Sequence, residues 1–193
     1  MFYSVIRFIF YLPIKFLYPT KVVGKNHLIK GKSILICNHK SNMDAIVLGI
    51  SLPYHIRFLS KAELFKNKLL RWFFKKLGAI PVNRGTADIG AVREVLRALK
   101  NNDIIGIFPG GTRVGEQQEE NYKNGTALFS IKSGAPIIPM LFLSKPKLFR
   151  KNTLIIGEPF YLKQTSEKPS KEKLQQYTKE IEQKQMQLQK KGE

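Results

Sequence analysis

Seven short runs rich in Ile, Leu and Val punctuate this chain, at residues 22–24, 33–37, 57–60, 79–83, 104–108, 137–143 and 154–157. They are too short for helices and carry little polar alternation, which is the pattern of strands buried on both faces of a sheet. Segments with helical spacing lie between them, at 42–51, 64–77, 86–100 and 122–133, the third opening at Thr86 with Asp88 in its first turn. This βα alternation predicts an α/β fold, a single domain with a mostly parallel central sheet of about seven strands flanked by helices. With 193 residues, 43% of them hydrophobic, the chain can fill one such core and is too apolar to be disordered. In sheets of this kind the chemistry collects in loops beyond one end of the strands.

Both ends of the chain differ from its middle. The expected division is residues 1–19 as an interfacial membrane helix, 20–162 as the α/β domain and 163–193 as a polar C-terminal helix or tail. The opening MFYSVIRFIFYLPIKFLYP is aromatic and aliphatic but interrupted by Arg7, Pro13 and Lys15. A spanning helix needs about 20 mostly apolar residues, so this stretch suits a helix lying in the interface. Phe2, Phe8 and Phe10 would then enter the acyl boundary, with the cations at headgroups. Residues 64–77 repeat the theme. Leu69, Leu70, Phe73, Phe74 and Leu77 share one face, Lys68, Arg71 and Lys75 lie largely opposite, and Trp72 sits on a flank. Trp72 and Phe73 therefore join the expected membrane contacts, although a helix packed over its own sheet has the same period. In the tail, Leu174, Ile181 and Leu188 recur every seven residues. One loosely docked or frayed helix fits that spacing, and so does a coiled-coil dimer.

Charge narrows the partners. The formal net charge is +19, and every charged residue before Asp44 is basic. Such a balance calls for an anionic partner, whether a membrane surface, an acidic protein or nucleic acid. No zinc-finger, helix-turn-helix, RRM or KH pattern supports nucleic acid, so none is expected. The expected location is the cytoplasmic face of the cell membrane, as a monotopic protein. Cys37 is the one cysteine, which excludes an internal disulfide framework, and with three histidines a metal centre is not expected.

Four constellations carry the chemistry. Asn38-His39-Lys40-Ser41-Asn42-Met43-Asp44 follows the strand SILIC and precedes the apolar run AIVLGI, a strand-to-helix turn. Ser41 suits the N-cap and Asp44, three residues on, suits a capping box. From that position Asp44 can also fold back towards His39, fix its tautomer and leave the other ring nitrogen as a general base. A turn histidine beside a simple cap gives the same letters. FPGGTR, residues 108–113, follows the strand DIIGIF. Its glycine turn can offer backbone N–H groups to an anion, and Arg113 adds a planar fork suited to phosphate. A tight turn with a solvated arginine is the plainer alternative. GAIPVNRG ends a strand at Arg84, and parallel strands would place Arg84, Arg113 and His39 on one rim, with Lys61 beside them. APIIP, residues 135–139, places two prolines at the start of a buried strand and reads as structural.

In this order the blocks resemble those of the glycerolipid acyltransferase family, typified by the bacterial enzymes that acylate lysophosphatidic acid. NHKSNMD is similar to the NHxxxxD box, FPGGTR to FPEGTR, and Arg84 and PIIP fall where the second and fourth boxes have theirs. IGEPF, residues 156–160, resembles the family's closing strand, so the likeness covers about residues 20–160. The resemblance implies transfer of a fatty acyl group from an acyl thioester to the sn-2 hydroxyl of a lysophospholipid, 1-acylglycerol-3-phosphate giving phosphatidic acid. His39, oriented by Asp44, would deprotonate the hydroxyl. Arg84, Arg113, Gly111 and Thr112, with Lys61, would hold the acceptor phosphate. No acyl-enzyme, bound cofactor or metal is implied, and the co-substrate is an acyl-coenzyme A or acyl carrier protein thioester. The family has glutamate where this chain has Gly110, beside the acceptor site, so the departure bears on acceptor choice. It also favours a rival of another class, a catalytically silent membrane- or lipid-binding protein on the same fold, which the intact His39/Asp44 pair disfavours.

Overall fold

The computed structural model describes residues 2–83, 88–108, 116–164 and 169–190, with side chains from residue 124 onward in the third of these stretches. The seven expected strands all form: β1 (Thr20–Val23), β2 (Ser33–Cys37), β3 (Ile56–Lys61), β4 (Ile80–Val82), β5 (Ile104–Ile107), β6 (Ile137–Phe142) and β7 (Asn152–Ile156). They make one sheet in the order β1-β7-β6-β2-β5-β3-β4. Every pairing is parallel except β6 with β7. The carboxyl ends of β2 to β6 therefore share one edge, while β1 and β7 run the other way.

Helices cover both faces because the strands are apolar on both. In β2, Ile34 and Ile36 face a core completed by α4 (Ile89–Lys100), α5 (Glu116–Ser133) and α6 (Lys171–Lys190). Leu35 and Cys37 face the other core, beneath α2 (Asp44–Ser51). On that second side α1 (Phe2–Leu17) packs across α2. The third helix on this side, α3 (Lys68–Lys76), is shorter than the spacing predicted. Residues 62–65 form a 3-10 turn instead, and Asn67 restarts the chain by accepting the Leu69 and Leu70 N–H groups as an N-cap.

Other expectations shift for physical reasons. α4 runs from Ile89 with Asp88 as its N-cap, the carboxylate accepting the Ala91 N–H at 2.9 Å, while the expected opening at Thr86 lies outside the described residues. Pro139 lies inside β6 and not at its start. Its missing N–H falls where the β6–β7 ladder slips by one residue, between the pairs Met140↔Ile156 and Ile137↔Phe160. The C-terminal helix is neither loose nor free for a coiled coil. Tyr177, Ile181 and Leu188 are buried in its own domain, and Thr178 donates to Asn124 Oδ1 at 2.8 Å.

Candidate active site

The carboxyl edge of the sheet gathers the reactive groups. β2 ends at Cys37, and the next residue locks the edge. The Asn38 amide accepts the Phe142 N–H at 2.8 Å and donates to the Phe142 carbonyl at 2.9 Å. Asn38 thus continues the β2–β6 ladder with a side chain and fixes the peptide that carries His39. Sequence reasoning passed over this residue, since an Asn before a turn is commonplace.

His39 Nδ1 lies 2.8 Å from Asp44 Oδ2, and the same oxygen accepts the backbone N–H groups of Lys40 at 2.6 Å and Ser41 at 2.7 Å. An oxygen that already accepts two backbone donors receives a third donor from the ring. Nδ1 therefore carries a proton, and the neutral ring in this orientation has its lone pair on Nε2. Burial separates the roles, for Asp44 is 0% exposed while the His39 side chain is 27% exposed. The capping box appears in altered form. Asp44 accepts from Ser41 N as expected, but Ser41 Oγ takes the Met43 N–H at 3.2 Å and α2 begins only at Asp44. Among the described residues Asp44 Oδ1 is buried with no partner.

The imidazole rests on Phe108, centroid to centroid 4.8 Å, and Phe108 stacks on Phe58 at 5.6 Å. Gly106 leaves room for this stack, since a Cβ there would overlap the Phe58 ring. Cys37 is fully buried, and burial together with the nearby Asp44 pushes its thiol far up, which disfavours a thiolate nucleophile.

Lys61 ends β3 on this edge and is exposed. Asn83 and Phe108, the last described residues before the two arginine-bearing segments, follow strands that end here too. Arg84, Gly110, Gly111, Thr112 and Arg113 themselves lie outside the described residues.

A cavity of about 400 Å³ runs from this edge towards the opposite one. Ala45 and Ser60 line its near end, next to Asp44 and Lys61, and Phe58, Gly49, Phe73 and Phe74 are among its walls. Tyr3 and Arg7 close the far end. Tyr3 Oη donates to the Tyr54 carbonyl at 3.2 Å and its ring stacks on His55 at 3.9 Å. Burial pushes the Tyr3 hydroxyl up, which keeps it a donor. Arg7 Nη2 donates to the Leu52 carbonyl at the end of α2, at 2.8 Å. That corrects the expected placing of this cation at headgroups, because a carbonyl at a helix C-terminus is the closer negative partner.

The expected membrane contacts divide. Phe8, 84% exposed, and Trp72 face solvent. Phe2 packs edge-on against Trp72 and Phe73, while Phe10 and Phe73 line the cavity. Val5, Phe8, Ile9, Leu12 and Phe16 form an open apolar stripe along α1, and Phe10 beside it is also 46% exposed. Among the described residues no helix is long and apolar enough to cross a membrane, and no group of three His, Cys, Asp or Glu side chains could hold a metal ion.

Fold and site together define an α/β protein with an imidazole oriented by a buried carboxylate at the carboxyl edge of its sheet, and with an apolar cavity whose lining reaches that edge at Ala45 and Ser60. A family model described as Acyltransferase matches residues 19–143. The chain is 36% identical over 170 residues to the 1-acyl-sn-glycerol-3-phosphate acyltransferase of Bacillus subtilis (strain 168), with 84% of each chain covered. It is similar to the enzyme of that name from Streptococcus pneumoniae, 27% identical over 111 residues, or 56% of this chain and 40% of the relative. The crystal structure of the 1-acyl-sn-glycerophosphate (LPA) acyltransferase PlsC from Thermotoga maritima matches with a TM-score of 0.63 at 26% identity. That match covers 89% of this chain and 71% of the other. The chain belongs to the acyltransferase family.

Proposed function

We propose that the protein transfers a fatty acyl group from an acyl thioester to the sn-2 hydroxyl of 1-acylglycerol-3-phosphate, forming phosphatidic acid. The observation that carries this reading is the partly exposed His39, held through Nδ1 by the buried Asp44, on the edge of the sheet where Ala45 and Ser60 line an apolar cavity. Nε2 accepts the proton of the acceptor hydroxyl as its oxygen attacks the thioester carbonyl. The new ester C–O bond forms, the C–S bond breaks, and the thiol leaves with the proton returned by the imidazolium. The donor's acyl chain occupies the cavity, which puts its carbonyl at the edge beside His39. Arg84 and Arg113, with Lys61, Gly111 and Thr112, hold the acceptor phosphate. Positioning two substrates against one base supplies much of the acceleration.

The thioester is delivered by coenzyme A or acyl carrier protein, as co-substrate rather than bound cofactor. The open stripe of α1 and Trp72 lie on an anionic bilayer at the cytoplasmic face, the source of the lysolipid and the sink for the product. Gly110 tunes the choice of acceptor.

Thiol release from a long-chain acyl thioester, on anionic vesicles with and without lysophosphatidic acid, tests this. Release should require the acceptor and fall roughly 10²–10⁴-fold in His39→Ala. Release that ignores the acceptor, or survives His39→Ala, rejects the transferase mechanism. No release with any acceptor from folded, vesicle-bound protein moves the chain to the silent lipid-binding role.

A further inference from the structure

Residues 143–151 join β6 to β7 on the same edge of the sheet as His39, and Lys40 Nζ donates to the Leu143 carbonyl at 3.0 Å. The connection is tightly framed. Buried Asn152 accepts the Lys147 N–H at 2.8 Å and donates to the Arg150 and Lys147 carbonyls at 2.9 and 3.2 Å. Pro146 is buried beneath it. The Phe149 N–H donates to the Leu17 carbonyl at 2.7 Å, which ties the turn to the end of α1. Phe149 is held at φ 54°, a left-handed conformation that an aromatic L-residue disfavours.

This frame turns outward Leu148 and Phe149, 47% and 59% exposed. Around them Lys145, Lys147, Arg150 and Lys151 are all exposed. Phe149 meets Phe16 edge-on at 5.7 Å, so the open stripe of α1 continues onto the turn. No Asp or Glu occurs between Glu120 and Glu158, or before Asp44, so neither segment brings an acidic side chain to the patch.

We propose that residues 143–151 form a membrane-docking turn that seats the catalytic edge on an anionic bilayer. Leu148 and Phe149 enter the acyl boundary and the four cations meet lipid headgroups. The proposal rests on the membrane reading of α1 and adds the element that sets the orientation of the active site. α1 alone leaves the molecule free to roll about the helix axis. A second contact one strand away from β2 removes that freedom and points His39 at the lipid surface. A phosphorylated coenzyme or an acidic carrier protein would engage the cations only. Two large apolar side chains, ringed by cations and continuous with an apolar helix stripe, match a surface that is anionic at its face and apolar just beneath.

The test uses the full chain. In a Trp72→Phe background, Phe149→Trp places the sole tryptophan on the turn. With mixed phosphatidylglycerol and phosphatidylcholine vesicles its emission should shift to the blue and be quenched by lipids brominated in the acyl chains. Leu148→Ser with Phe149→Ser should lower partitioning tenfold or more. Changing Lys145, Lys147, Arg150 and Lys151 to Gln should lower it about fivefold per cation at low salt. Both sets should keep the parent's melting temperature and its activity on short-chain, freely dispersed substrates. No quenching, with vesicle binding intact and lost only in Phe8→Ser with Leu12→Ser, overturns the docking turn and leaves the α1 reading standing. A parent protein that ignores anionic vesicles overturns both. Intact vesicle binding with a rise in KM for acyl carrier protein in the Gln variant also overturns it, and makes the turn a site for an acidic protein.

Discussion

Gly106 is the residue on which the His39 ring rests indirectly. It sits in β5, and the Phe58 ring crosses it to stack on Phe108, which in turn supports His39. Gly106→Ala forces Phe58 aside, and such overpacking costs about 1–3 kcal/mol. Displacing Phe58 tilts Phe108 and with it the imidazole, so kcat should fall more than KM changes. Urea unfolding and steady-state kinetics on one preparation check both parts, and an unchanged kcat with lowered stability would detach the stack from catalysis. Cys37 makes the opposite prediction. Its thiol is buried and pushed well above the ordinary cysteine value by burial and by Asp44. It should resist Ellman's reagent until the protein unfolds, and Cys37→Ala should leave acyl transfer within a few-fold of the parent. Rapid labelling of the folded protein, with loss of activity in step, would reopen a covalent route.

At the scale of elements, Asp88 shows how β4 and α4 are joined next to the Arg84 segment. Its carboxylate accepts the Asn83 N–H at 2.9 Å and the Ala91 N–H at 2.9 Å, which holds its pKa below the ordinary value of 3.8. A lowered carboxylate contributes stability that is present above the unfolded value and lost as pH falls towards the folded one. Asp88→Ala should therefore cost about 1 kcal/mol at neutral pH, the usual worth of an N-cap. The gap between variant and parent should close below pH 3.8, and denaturant titrations across pH measure it. A gap that persists in acid would mean that the loss is steric. The seven strands were legible in the sequence because a strand buried on both faces writes its own apolar run. Asp88 as the cap was half legible, being an acidic residue in a first turn. The docking of α6 was not. Leu174, Ile181 and Leu188 at sevenfold spacing state that one face is apolar, while whether that face meets its own domain or a second chain depends on α5 and β6, far away along the chain.

At the scale of the molecule, the dyad was legible because His39 and Asp44 are local to one turn, whereas the cavity was not, because α1, α2, α3 and β3 each contribute a wall. No segment of sequence encodes a space between four elements. Gly49 stands on α2 where that space passes Phe58 and Tyr3, and a Cβ there would meet them at 3.8 and 3.9 Å, ordinary contact distances. The frame therefore accepts a Cβ, and the further atoms of a leucine must take up space in the cavity that Gly49 lines, where Tyr3 closes it. If the donor chain lies there, Gly49→Leu should leave kcat/KM for short-chain thioesters near the parent value. Each methylene that no longer fits should forfeit about 0.8 kcal/mol, roughly fourfold in kcat/KM. A donor series of graded chain length, read at fixed lysophosphatidic acid, should thus fall away stepwise beyond one length. An equal loss at every length would instead mean that the substitution disturbs Asp44 through α2, and the acyl chain would have to be placed elsewhere.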